Sequence, residues 1–219
     1  MANLSKSKYI TYCQCPKALW LKQYKSEEMV IDPLTQARFD AGTEVGELAK
    51  RLFGDFVEAT TYKTAADETQ RLDLRAMAAA TQKALAEGAE NIAEAAFIYD
   101  GCYCAVDLLQ KTPHGYAIYE VKSSTDLKEL EVYAQDVAYQ KYVLTNCGLN
   151  ITGTYLVNID NEYVLDGKLD VKGFFRINDI SEAVANEYVK VPAQVKAAKK
   201  VLEGGEPKQD LAEYCKKPY

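Results

Sequence analysis

The chain has 219 residues, enough for one globular core, and its 48% hydrophobic and 26% charged residues exclude general disorder. A formal charge of −6 gives no overall attraction for a polyanion, so a nucleic-acid partner would have to meet a local basic surface or a bound cation. No apolar run approaches the roughly 20 residues that cross a bilayer, the first residues lack the apolar stretch of a signal peptide, and the six cysteines form no compact zinc pattern; a cytoplasmic location and reduced thiols are expected.

In chain order, Ser5 caps a helix through Tyr9, Ile10 and Cys13, which is interrupted or restarted at Pro16 before Leu19, Trp20 and Leu21. The spacing of Phe39, Val45, Leu48, Ala49 and Leu52 predicts a helix over 34–53, stopped by Gly54. Residues 56–59 read as a short strand. Residues 65–88 are rich in Ala, Leu, Gln, Arg and Glu without an internal Gly or Pro, and predict one long helix ending at Gly88. Strand composition over 93–99, 102–110 and 116–121, with turns at Asp100-Gly101 and Pro113-His114-Gly115, gives an antiparallel meander. A helical period over 127–147 then leads to a strand over 152–158, and a right-handed crossover places that strand parallel to the one at 116–121.

Further on, alternating residues on either side of Asp166-Gly167 suggest a hairpin or small flap over 163–175, followed by a helix over 180–204 and an irregular tail over 206–219. The expected fold is one α/β domain spanning 1–219, a mixed β-sheet flanked by helices, with the tail at 206–219 either cut short or complete.

Three acidic residues fall inside apolar strand segments: Glu94, Asp107 and Glu120. Carboxylates on such strands are desolvated at a cost unless a cation, a basic side chain or hydrogen-bond donors compensate them. Period-two geometry puts Glu120 and Lys122 on one face of a strand, with Val121 able to offer its carbonyl. Asp107, Glu120 and the Val121 carbonyl would hold Mg²⁺ or Mn²⁺, a hard cation taking oxygen ligands, beside Lys122. The lysine could orient or help deprotonate a water, or stabilise charge on a phosphoryl oxygen, so the implied reaction is phosphodiester hydrolysis.

Asp107 followed by Glu120-Val121-Lys122 at the end of a strand entering a helix resembles the PD-(D/E)XK nuclease superfamily. Leu4-Ser5-Lys6-Ser7-Lys8 with Cys15-Pro16-Lys17-Ala18-Leu19-Trp20-Leu21 looks like the opening of the RecB-like nucleases, including CRISPR-associated exonucleases, and Gly42-Thr43-Glu44-Val45-Gly46-Glu47 resembles their first motif. The resemblance implies a restriction-endonuclease-like sheet and a metal-dependent deoxyribonuclease, an exonuclease in preference, with DNA as partner. Gly46 stands where that branch often carries a histidine ligand, which leaves a further ligand open between Glu94, the better candidate, and Glu47. The branch's helical glutamine corresponds to Gln140 ahead of Gln135, contacting metal-bound water or the DNA backbone. Many CRISPR-associated relatives also hold an iron–sulfur cluster; Cys15 matches its first cysteine and Cys215 the beginning of the second group, so a cluster is implied if the chain continues past Tyr219.

Other readings compete. Asp107, Glu120 and Lys122 could form a surface salt bridge without chemistry. His114 reads as a turn residue, the tyrosines as half-buried packing, and the basic run 196–200 as a solvated helix face. The rival to a nuclease is a catalytically inactive nucleic-acid or protein-binding module on the same fold.

Overall fold

The computed structural model describes residues 4–65 and 68–208. It begins with strand β1 (Leu4–Ser5), and Ser5 then caps helix α1 (Lys6–Gln14) through its Oγ, which accepts from the Lys8 N–H at 3.3 Å. Cys15 is extended, which ends α1 and lets Pro16 open α2 (Pro16–Tyr24). Asp32 caps α3 (Pro33–Ala49) by accepting from the N–H groups of Leu34 and Thr35 at 2.9 and 3.0 Å. Strand β2 (Val57–Glu58) follows as expected for 56–59.

The long helix expected over 65–88 is corrected. Residues 66–67 lie outside the described residues; Gln70–Leu72 form β4, which pairs with β3 (Tyr62–Thr64) in a two-stranded ribbon, and α4 covers only Leu74–Ala86. Glu68 at φ 64 breaks a right-handed helix, and Asp73 starts a new one by accepting from the N–H groups of Arg75 and Ala76.

The meander forms as β5 (Asn91–Tyr99), β6 (Cys102–Thr112) and β7 (Gly115–Lys122), and α5 (Leu130–Asn146) crosses to β8 (Ile151–Ile159), which pairs parallel to β7. The hairpin expected over 163–175 does not form. Asp170 caps a short helix α6 (Val171–Phe174), and β9 (Phe175–Asp179) pairs antiparallel with β8. The helix expected over 180–204 is divided into α7 (Ser181–Tyr188) and α8 (Val191–Glu203), with Pro192 in the first turn of the second piece, where a missing N–H costs nothing.

The result is an α/β architecture around a mixed seven-stranded sheet in the order β2-β5-β6-β7-β8-β9, with β1 joined to β6. On one face α5, with α1, α7 and α8, covers the larger core, in which Tyr9 and Tyr139 stack at 4.6 Å between ring centroids. Against the other face pack α3 and the segment after it, through Ala49, Leu52 and Phe53 on Ala93, Leu108 and Tyr119. No helix among the described residues is long and apolar enough to cross a membrane.

The sheet topology creates an opening. β5 takes one edge of β6 from Cys102 to Gln110, so β1 and β7 share the other: β1 pairs with Cys102 and Tyr103, β7 with Leu108 to Thr112. Between those two partners, residues 104–107 of β6 have no strand on that edge among the described residues. Asp107 stands at the end of this gap.

Candidate active site

Glu120 and Lys122 lie two apart on β7 and so project from the same face, where the Lys122 Nζ donates to Glu120 Oε1 at 2.6 Å. From the covering helix, Asp136 and Gln140 sit one turn apart and reach the same point. Gln140 Nε2 donates to Glu120 Oε2 at 2.7 Å and to Asp136 Oδ1 at 3.1 Å, and Lys122 Nζ also lies 3.2 Å from Asp136 Oδ2. Among the described residues it is Gln140, not Gln135, that makes these contacts.

Lys6 enters from the first turn of α1, just past the two residues of β1. Its ammonium lies 3.0 Å from both oxygens of Glu120, and 3.8 and 3.9 Å from Asp136 and Asp107. Glu120 is therefore 1% exposed yet fully compensated, by two ammonium groups and one amide. Gln140 is entirely buried, and its Oε1 has no hydrogen-bond partner among the described residues.

Asp107 arrives by a different route. Along β6, Val106 and Leu109 pack in the core under α5; along β5, Ile92 and Ala95 do the same. A spacing of three instead of two on both strands means that the in–out alternation slips by one residue at Asp107 and, across from it, at Glu94. Ladder pairing skips both residues, between Ala93–Leu108 and Ala95–Val106. Glu94 makes the slip by taking φ 53, a left-handed conformation that side chains rarely adopt and that costs about 1–3 kcal/mol. This paired irregularity re-aims both carboxylates, as bulges beside functional sites do. Asp107 Oδ2 is then held by the Val121 N–H at 2.7 Å, which leaves Oδ1 engaged, among the described residues, only by Lys6 at 3.9 Å. Val121 thus contacts the cluster through its N–H, in addition to bordering the cavity to which its carbonyl was expected to contribute.

Asp107, Glu120, Lys122, Val121, Glu94 and Lys6 border one cavity of about 500 Å³, with Arg38, Thr43 and Glu47 of α3 on its far wall. Gly46 borders it too, and Glu47 is spent on an ion pair with Lys50 at 2.6 Å. Glu94 has no hydrogen bond or ion pair among the described residues. A comparison of the chain with protein-family models and with curated proteins returned no match.

The electrostatics separate the carboxylates. Burial and the facing Asp107 push Glu94 up to about 7, and burial with the neighbouring Glu120 pushes Asp107 up to about 6. Burial and repulsion from Glu120 also raise Asp136. Glu120 goes the other way: although burial opposes it, Lys122 and Lys6 hold its carboxyl well below the usual carboxylate range. Burial tends to lower Lys122, but Glu120 and Asp136 override this and raise it, so it keeps its proton at neutral pH.

Among the described residues, no group of three or more His, Cys, Asp or Glu side chains stands ready to hold a metal. The reason is visible in the distances: ammonium groups are interposed among the carboxylates. The donor chemistry nonetheless fits a hard divalent cation, because Asp107 Oδ1, Glu94 and Glu120 offer carboxylate oxygens to a single cavity and two of these three carboxylates are short of compensating partners.

The remaining expectations lie elsewhere. Cys15 is buried at the start of α2, outside the cavity, and Cys215 lies outside the described residues. Cys102 and Cys104 are buried in the core under α5. His114 is exposed in its turn, where its carbonyl accepts from Asn150. In the basic run at 196–200, Lys199 pairs with Asp100 at 2.8 Å. Lys6 and Asp136 carried no assigned role in the sequence; the only signals for them were the Ser5-Lys6-Ser7 opening and the four-residue spacing of Asp136 from Gln140.

Proposed function

We propose that the chain is a divalent-cation-dependent nuclease that hydrolyses DNA phosphodiester bonds, with a restriction-endonuclease-like fold and a PD-(D/E)XK centre of the RecB-like kind. One observation carries this reading: Asp107, Glu120 and Lys122 meet at a single cavity, on two strands that part at that point. A salt bridge without function has no need of the slipped alternation and the strained Glu94 beside it.

Asp107, Glu120 and Glu94 are the residues that would hold Mg²⁺ or Mn²⁺. Such a cation supplies Lewis-acid polarisation of a phosphoryl oxygen and a lowered pKa for bound water. Gln140 fixes the Glu120 carboxylate through Oε2, as outer partners of ligating carboxylates do. Lys122, pinned between Glu120 and Asp136 and 5.6 Å from the ring of Tyr133, stays charged. A charged lysine is no base for water; its work is to stabilise negative charge growing on the phosphate. Arg38 on the far wall offers a further cation for the backbone of a strand. Exonuclease action and an iron–sulfur cluster using Cys15 and Cys215 are supported by the family resemblance alone, and a cytoplasmic setting by the sequence reading alone.

The test is hydrolysis of labelled single- and double-stranded DNA by purified protein with Mn²⁺ or Mg²⁺, alongside Asp107→Asn. Cleavage that disappears in the variant supports the reading; DNA left intact, or cleaved equally by both, sinks it. A second reading has its own support in the Lys6 and Lys122 contacts, which already neutralise Glu120: a binding module that needs no cation. Calorimetry in which Mn²⁺ fails to bind while DNA or a protein ligand binds would favour it.

A further inference from the structure

The root of Lys6 is fixed. Leu4 and Ser5 pair with β6, the Leu4 N–H donates to Gly101 O at 3.1 Å, and Tyr139 Oη donates to Leu4 O at 2.6 Å from inside the core. Its tip has room. Lys6 borders both the cavity of the carboxylates and an adjoining one of about 630 Å³, which runs past Ser7, Thr60 and Tyr62.

The other partners of Glu120 lack that freedom. Gln140 is wholly buried and tied to Asp136, while Lys122 is held by both Glu120 and Asp136 and borders the first cavity but not the adjoining one. A carboxylate has a limited set of lone-pair positions, and those of Glu120 already accept from Lys6 at both oxygens, from Lys122 and from Gln140. A cation joining Glu120 therefore requires one of these donors to leave. Lys6 is the donor with somewhere to go, and a second positive charge at the same oxygens would repel it.

We propose that Lys6 is an exchangeable counter-cation of this centre, yielding Glu120 to a divalent cation by swinging into the adjoining cavity, and that it thereby sets the centre's affinity for the cation. The inference rests on the reading of Asp107 and Glu120 as cation ligands. In the exchange no covalent bond changes and the lysine stays tethered by β1, so it returns whenever the cation leaves.

The experiment is calorimetric titration of Mn²⁺ into the full chain, near neutral pH, for the wild type, Lys6→Met and Lys6→Arg, and for Lys6→Met combined with Glu120→Gln. Circular dichroism and thermal melts in chelator check the fold. Lys6→Met should bind Mn²⁺ tenfold or more tightly than the wild type, with a lower melting temperature in chelator and a larger rise on adding Mn²⁺. Lys6→Arg should bind it more weakly, because a guanidinium grips a carboxylate through two parallel bonds. The Glu120→Gln change should abolish the gain.

Wild-type binding with no tightening in a folded Lys6→Met overturns the inference and leaves the nuclease reading standing. If Lys6→Met does not fold, Lys6→Arg decides, and equal or tighter binding there overturns it. Binding seen only in Lys6→Met, and lost with Glu120→Gln, supports the inference while overturning the reading of the wild type as a cation-loaded enzyme. Absence of binding in every protein overturns both.

Discussion

Glu94→Gln isolates the electrostatic cost of the site, because it removes a charge while keeping shape and the left-handed backbone in place. Glu94 is raised from 4.5 to about 7 by burial first and Asp107 second. A carboxyl whose folded value is raised binds its proton more tightly in the native state, so its contribution to stability is present at low pH and lost as pH rises, here between about 4.5 and 7. At about 1.4 kcal/mol for each pH unit, the full loss is about 3 kcal/mol by pH 8, against less than about 0.5 kcal/mol at pH 4.5. Glu94 is half-buried, and solvent screening brings the expected figure to about 1–3 kcal/mol. Glutamine does not titrate. The variant should therefore gain on the wild type by that amount between the two pH values, in chelator. Urea unfolding measures it: at about 2–3 kcal/mol per molar, the midpoints separate by about 0.3–1.5 M more at pH 8 than at pH 4.5. A separation that does not change with pH would refute the reasoning, since it would show that the Glu94 carboxylate is as well solvated folded as unfolded. Saturating Mn²⁺ should reverse the sign at pH 8 by stabilising the ionised wild type.

Three further outcomes follow from other parts of the site. Gln140→Leu removes bonds to two carboxylates but also an oxygen without a partner, so a net loss of about 2 kcal/mol is expected in urea or thermal unfolding, and an unchanged stability would mean that the two bonds hold nothing in place. Lys122→Met should cut DNA hydrolysis about 100-fold or more while Mn²⁺ still binds in calorimetry; a parallel loss of cation binding would contradict its assignment to the phosphate. Tyr139→Phe keeps the stacking on Tyr9 but loses the bond to the Leu4 carbonyl, costing about 1–2 kcal/mol and speeding amide exchange in β1; protection at Leu4 equal to that of the wild type would show that β1 is held by β6 alone.

The central part of the fold was legible because several signals agreed there. Strand composition, Gly-containing turns and a helical period of buried residues all pointed to β5-β6-β7-α5-β8, and handedness settled that β7 and β8 are parallel. Where the structure departs from expectation, core constraints are weak. Residues of β3 and β4 are all exposed, so their alanine- and glutamine-rich surroundings suggested helix while local turns and the cap at Asp73 decided for a ribbon. The segment 163–170 is mostly exposed too, and the alternation read there had no buried face to serve. β1 spans only two residues, Leu4 and Ser5, too few for any period to register.

In the site, what could be read was what a single strand displays. Glu120 and Lys122 share a face by period two, and Asp107 betrayed itself as an acid among apolar neighbours. What could not be read needs two elements at once. Lys6 and Glu120 are separated by 114 positions and meet only because β1 fills the edge of β6 that β7 abandons. Asp136 meets Lys122 only across two elements, α5 and β7, so no single-strand pattern marks it. The slip at Glu94 and Asp107 had no glycine to announce it: a glutamate takes φ 53, and strict alternation would have turned one of the two carboxylates into the core. The left-handed backbone at that position, and not its strain, is thus the structural condition for Asp107 to face Glu120 at all. Relieving that strain by Glu94→Gly should keep Asp107 in place and raise stability, whereas an alanine there should keep the strain and lose only the charge. The difference between those two variants, read by unfolding at pH 8, measures how much backbone energy the fold commits to assembling its carboxylates, and a value of about 1 kcal/mol or more in favour of glycine is expected.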